Sequence, residues 1–193
     1  MQRPLTYAIA ALLAFVSLAH TDDAAARTRS KGDQRNALIY YLSSYELELT
    51  RASLDRIGPD IPQVLVDVLN APEAQVRVRV RACAALAFYP TEQTFDVLRT
   101  LLHERSFKGN ELGLQMRRQA LRSLGRGFGD RGIDDILALR DDPEPLVREA
   151  VAQALGDSGS VRPLTLLETW LSTEPVLHVR MAVDRAVSRL RER

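Results

Sequence analysis

The residues that could do chemistry in this chain of 193 residues are few. There are three histidines, His20, His103 and His178, one cysteine, Cys83, and arginines that recur at long intervals, Arg79, Arg117, Arg148 and Arg180. No Ser, His and Asp stand in a recognisable nucleophilic context and no Gly-rich phosphate loop is present, so catalysis has no sequence support. Cys83 lies among Ala82, Ala84 and Ala85, the setting of a small buried thiol, and a lone cysteine has no internal disulfide partner. The arginines admit two uses. Facing an open groove they would form an anion-binding row; facing the fold they would be structural.

What must position them is a repeat. The segment "LVREAVAQALG" (Leu146 to Gly156) falls into register with "LTRASLDRIG", "VRVRACAALA", "MRRQALRSLG" and "VRMAVDRAVS", whose closing residues Ile57, Leu86, Leu124, Leu155 and Val187 are 29, 38, 31 and 32 residues apart. A period near 31 marks stacked helix pairs. In the fourth segment Val147, Ala150, Val151, Ala154 and Leu155 form one apolar stripe at helical spacing, with Gly156 expected to reverse the chain at the helix end. Second helices are expected at Ile61 to Leu69, Thr94 to Leu102, Ile133 to Leu139, and from Leu164 onward. Pro59, Pro90 and Pro163 sit at or just before their first turns, and Pro72, Pro143 and Pro175 mark the junctions. One hairpin cannot cover its own stripe, so the hairpins must stack.

Two places strain the pattern. "QVRVRVRA" (Gln75 to Ala82) alternates like a strand, but repeat register makes it the start of a helix. The 38-residue interval places extra residues in a polar loop, His103 to Gly113. Upstream, Leu38, Leu42, Tyr45, Leu49 and Ala52 recur at helical intervals, with Ser43 and Glu46 spaced as a capping box, giving either one long helix or a capping helix followed by the first unit.

Composition bounds partners and address. A hydrophobic fraction of 46% with 6% aromatics favours Leu/Ala/Val helices, and a net charge of +1 lacks the basic footprint of a nucleic-acid or membrane binder. Arg3 followed by an apolar run from Leu5 to Leu18 and the small residues Ser17 and Ala19 read as a secretory leader. The division expected is therefore 1–19 signal peptide (alternative cut after 26), 20–33 flexible linker and 34–193 repeat domain, giving a periplasmic or secreted protein. The leader's run is shorter than the roughly 20 residues of a spanning helix, so no stable membrane insertion is expected after cleavage.

The units resemble HEAT repeats, specifically the short type of phycobilisome lyase-like proteins, whose pattern is similar to D-P-x-x-x-V-R-x-x-A-x-x-A-L-G. "DPEPLVREAVAQALG" (Asp142 to Gly156) follows it almost throughout, the third and fifth units follow it in part, and the first carries Thr50 where Arg is expected. The resemblance implies an all-α fold, a right-handed α-α superhelix (solenoid) of about 4–5 short helical hairpins, over roughly residues 45 to 193. It also implies that Asp141 or Asp142 pairs with Arg148 as part of a structural ladder. His103-Glu104 resembles the His-Glu pairs that hold a di-iron centre in deoxyhypusine hydroxylases, but that family needs several pairs and this chain has one, so neither a metal nor another cofactor is expected.

Curved helical arrays present their second helices on a concave face. Asp67, Asp96, Arg99, His103, Asp135 and Glu168 are the candidate partner-binding residues there, and Trp170 is either an aromatic anchor or a core residue of the seam between units. Phe88, Tyr89 and Phe128 form a second aromatic candidate. The function expected is a protein-interaction or scaffold module of the cell envelope without catalysis, its partner another protein or peptide. The alternatives are an accessory subunit of a larger envelope assembly and a lyase-like ligand- or chromophore-binding protein.

Overall fold

The computed structural model describes residues 29–44, 46–104 and 109–193. The proposed leader lies outside these residues, as does the middle of the polar loop. Every regular element among the described residues is helical, as the periodicity requires. In chain order they are α1 (Lys31–Ser43), α2 (Arg51–Asp55), α3 (Ile61–Asn70), α4 (Val76–Ala85), α5 (Glu92–His103), α6 (Glu111–Phe128), α7 (Ile133–Leu137), α8 (Pro145–Ser158), α9 (Leu164–Thr173) and α10 (Leu177–Arg191). Short 3-10 turns follow α4 at Leu86–Phe88 and α6 at Gly129–Gly132. The alternating run after Gln75 is helix α4, so repeat register overrules the local strand pattern.

The chain divides into two compact units, one ending at Val64 and one beginning at Leu65. In the first, α1 and α2 are separate helices. Ser43 does not open a capping box with Glu46: it ends α1, its hydroxyl donating to the Ile39 carbonyl at 2.7 Å. Thr50 caps α2 instead, accepting from the Ser53 amide at 3.2 Å. α1 begins at Lys31, inside the stretch expected to be linker. Its Gln34, fully buried, ties it to the loop before α3: the amide donates to the Asp60 carboxylate (2.9 Å) and accepts from the Asp60 N–H (3.0 Å). Gly58 leaves the room this needs, since a Cβ there would stand 2.4 Å from the Gln34 amide.

The second unit is a repeat array. Its first helices α4, α6, α8 and α10 pack side by side in sequence, α6 against α4 and α8, and α8 against α10, while α5, α7 and α9 serve as second helices. The expected stripe is the core: Val147, Ala150, Val151, Ala154 and Leu155 are all 0% exposed, and Met116, Ala120, Leu121 and Leu124 occupy the matching line on α6. Small residues set the spacing. Gly125 faces the backbone of Ala154, and one repeat later Gly156 faces Ala186. Gly156 is therefore a packing residue inside α8, not the chain reversal; the reversal comes at Gly159, in the left-handed region at φ 73°.

Cys83 is fully buried in α4, and burial pushes its thiol up to about 12. Beside it, the Ser123 hydroxyl donates to the Cys83 carbonyl at 2.9 Å and links α6 to α4. A water-soluble thiol reagent at pH 7 is expected to modify Cys83 only when the fold opens. Labelling of the native protein at the rate of a free thiol would contradict this placement.

Candidate functional site

The recurring arginines face the fold. Each donates to a carbonyl at the end of the preceding second helix or the loop after it: Arg79 Nε to Leu69 (2.8 Å), Arg117 Nε to Leu102 (3.3 Å), Arg148 Nη1 to Asp142 (3.0 Å) and Arg180 Nη1 to Glu174 (3.2 Å). Helix C-terminal carbonyls lack intrahelical partners and carry the negative end of the helix dipole, so a guanidinium there satisfies both needs. Two rungs also reach forward. Arg117, 8% exposed, pairs with the Asp142 carboxylate. Arg148 pairs with Glu174 through Nη2 (2.8 Å) and Nε (3.1 Å). The expected ladder is present with a different register: Asp142 offers Arg148 its carbonyl and gives its side chain to the arginine of the unit before, while Asp141 pairs with Arg140. With their guanidiniums engaged in this way, Arg79, Arg117, Arg148 and Arg180 do not make the open anion-binding row.

Trp170 belongs to the same seam. It is 6% exposed, and its indole N–H donates to Glu174 Oε2 at 2.9 Å. Glu174, 5% exposed, also accepts from the Val176 amide at 3.1 Å. The Arg148 hydrogen bond, opposed by burial and joined by the Trp170 and Val176 donors, holds this carboxyl below the usual glutamate range. Trp170 is a structural donor with little surface left for a partner.

The other candidates lie on the second helices. Asp96, Arg99 and Asp135 are brought together: Arg99 reaches Asp135 on α7 at 2.9 Å and Asp96 one turn away at 3.8 Å. Glu168 on α9 receives Arg191 from α10 at 2.6 Å. Arg162 reaches Asp134 at 2.6 Å, and Arg131 clasps Glu92, whose carboxyl this hydrogen bond lowers. His103 is exposed at the end of α5, and Asp67 is half-buried on α3. The aromatic turn is partly consumed by packing: Phe128 lies 5.0 Å from Phe95, and Arg131 stacks over Phe95 at 4.0 Å. Tyr89 is buried.

A further surface went unmarked by local motifs. On the outward side of the first helices, Arg126 Nε reaches Asp157 at 2.9 Å, Arg189 reaches the same carboxylate, and Arg122 Nε donates to Gln153 at 3.0 Å. These residues sit one repeat apart, Arg126, Asp157 and Arg189 in one row and Arg122, Gln153 and Arg185 in the next. The signal was the repeat register itself.

Among the described residues no group of three His, Cys, Asp or Glu side chains could hold a metal ion, and no helix is long and apolar enough to cross a membrane. Residues 115–188 match the family model of HEAT repeats. The match runs from within α6 to within α10, spanning most of two hairpins and the first helix of a third. No curated protein matches the chain. HEAT repeats suggest a protein-interaction or scaffold role, since stacked hairpins offer extended surfaces rather than enclosed pockets.

Proposed function

We propose that this chain is an exported, non-catalytic interaction module of the cell envelope that holds a protein or peptide partner on the second-helix face of its HEAT array. The observation that carries this reading is the line of exposed ion pairs across successive hairpins, Arg99 with Asp135, Arg162 with Asp134 and Arg191 with Glu168. Exposed pairs of this kind contribute little to stability, so they are available for exchange with a partner's charges. Export rests on the leader expected at residues 1–19, with its apolar run from Leu5 to Leu18.

Affinity capture from an envelope extract tests the reading, using the chain beside a variant with Asp67, Arg99, Asp135 and Glu168 changed to Ala. A specific partner lost in the variant is the expected outcome. A partner retained by the variant, or none at all, would remove the second-helix face from the argument. Cell fractionation and N-terminal sequencing test export separately: an uncleaved chain in the cytoplasm would refute it.

One observation favours a second reading, the accessory subunit. Leu177 and Met181, one turn apart on α10, are 61% and 51% exposed, an apolar edge suited to stacking on a neighbouring subunit. A monodisperse monomer at high concentration would count against it.

A further inference from the structure

We propose that the outward face of the first helices, centred on Arg126, Arg185 and Arg189, is a second binding surface that takes an acidic peptide segment through its side-chain carboxylates. It uses different residues from the ion pairs of the second-helix face, and it stands or falls independently of them.

The surface is built by the repeat. α6, α8 and α10 pack side by side, so residues one repeat apart line up across them, and two rows result: Arg122, Gln153 and Arg185, then Arg126, Asp157 and Arg189. Between α8 and α10 the rows enclose a hollow of about 210 Å³, walled by Arg126, Asp157, Arg185 and Arg189 and floored by Gly156 and Ala186. Gly156 keeps it open, because any side chain there would meet Ala186.

Charge is in surplus here. On the opposite side, Arg99 on α5, Arg131 and Arg162 in the turns before α7 and α9, and Arg191 at the end of α10 each have an acidic partner. In the hollow, Arg126 and Arg189 share the single carboxylate of Asp157, and Arg185 has no hydrogen bond or ion pair among the described residues. Close by on α6, the Nε of Arg118 is buried without a hydrogen-bond partner. Burial first, then the charge of Arg118, lowers the guanidinium of Arg122, with Arg126 adding to it and Glu149 and Asp157 opposing it.

The geometry selects a carboxylate. Asp157 shows that guanidiniums from α6 and α10 converge on one such group from opposite sides, and the planar fork of arginine matches it in two hydrogen bonds. At about 210 Å³ the hollow has room for a glutamate carboxylate and accompanying waters. Within each row the positions recur at the spacing of packed helices, about 8–10 Å, close to one turn of a polyproline-II segment, three residues at about 3.1 Å each, which returns every third side chain to the same face. A segment with acidic residues three apart would place successive carboxylates in register with successive helices.

The test is fluorescence anisotropy with the full chain and a labelled peptide carrying Glu at every third position between serines, beside its Gln counterpart, at low and moderate salt. The Glu peptide is expected to bind, more weakly as salt rises, and the Gln peptide not. Arg185→Ala and Arg189→Ala should each weaken binding about tenfold, while Arg99→Ala on the other face leaves it unchanged. Asp157→Asn, which removes the internal competitor, should tighten binding several-fold, a gain that a purely structural ion pair would not produce. Unchanged helical circular dichroism shows that each variant is folded. Equal binding of the Gln peptide, indifference to Arg185→Ala, or loss of affinity in Asp157→Asn would overturn the proposal. Complete displacement by inorganic phosphate at equimolar concentration would also overturn it, assigning the hollow to small phosphates instead.

Discussion

Arg148→Ala is expected to lower the unfolding free energy by about 3–5 kcal/mol at neutral pH, the range for stripping one partner from a buried ion pair. Glu174 would keep its charge in a site 5% exposed with only the Trp170 indole and the Val176 amide to answer it. The substitution also removes two hydrogen bonds to that carboxylate and one to the Asp142 carbonyl. The pH dependence gives the effect a signature. In the intact protein the folded-state pKa of Glu174 lies below its ordinary value of 4.5, first because of Arg148. Its stabilising contribution is therefore fully present above about 4.5 and is lost as pH falls through the folded value. Without Arg148 the largest cause lowering this carboxyl is gone, so the glutamate protonates more readily and acidification relieves the variant. Urea unfolding at a series of pH values should show the gap between intact and variant protein at its widest near neutrality and narrowing in acid. A gap independent of pH would mean that the ion pair contributes only packing.

How far this arrangement could be read in advance depended on what each residue contacts. The apolar stripe from Val147 to Leu155 was legible because one helix face against one neighbour imposes a period, and all five of its residues are fully buried. The second helices were legible for the same reason, with prolines to punctuate them. The pairing of Asp142 was not, because its carboxylate goes to Arg117, 25 residues away and one unit back, while the nearer Arg148 takes only its carbonyl. Nothing in the local sequence distinguishes those two arginines. Likewise Thr50 rather than Ser43 caps a helix, since capping depends on where the preceding helix stops as well as on residue type.

The candidate surface was legible in part. Asp96, Arg99 and Asp135 do converge, because they occupy the same turn of adjacent second helices. Trp170 departs from them because an indole N–H in a seam needs an acceptor, and Glu174 lies one turn on. The arginines of the outward face carried no motif at all. Their partners Gln153 and Asp157 look like ordinary solvated positions until the helices are placed side by side.

Gly125→Ala should be the most damaging single-methyl substitution in the array, costing about 3 kcal/mol. At 2–4 °C per kcal/mol for a chain of this size, the melting temperature should fall by roughly 6–12 °C. Helix propensity argues the other way, since alanine is favoured over glycine inside a helix by about 1 kcal/mol. Sterics prevail because the new Cβ would stand 2.3 Å from the Ala154 carbonyl oxygen and 2.9 Å from its carbonyl carbon. Both are backbone atoms of a packed helix, so no rotamer change relieves the clash and α6 and α8 must separate. Gly156 provides the control, since it occupies the same repeat position against α10. There the nearest atoms are the Cα and Cβ of Ala186, both at 3.0 Å, a contact that a shift of a few tenths of an ångström relieves. Gly156→Ala is accordingly expected to change stability by no more than about 1 kcal/mol, propensity and crowding nearly offsetting each other. Parallel thermal unfolding of the two variants checks the pair. If Gly125→Ala melts with the intact protein, or if Gly156→Ala proves the costlier, then the first helices are not held at the separation their glycines permit, and the register linking the Leu-Gly endings of the third and fourth units to the alanines of the next would have to be redrawn.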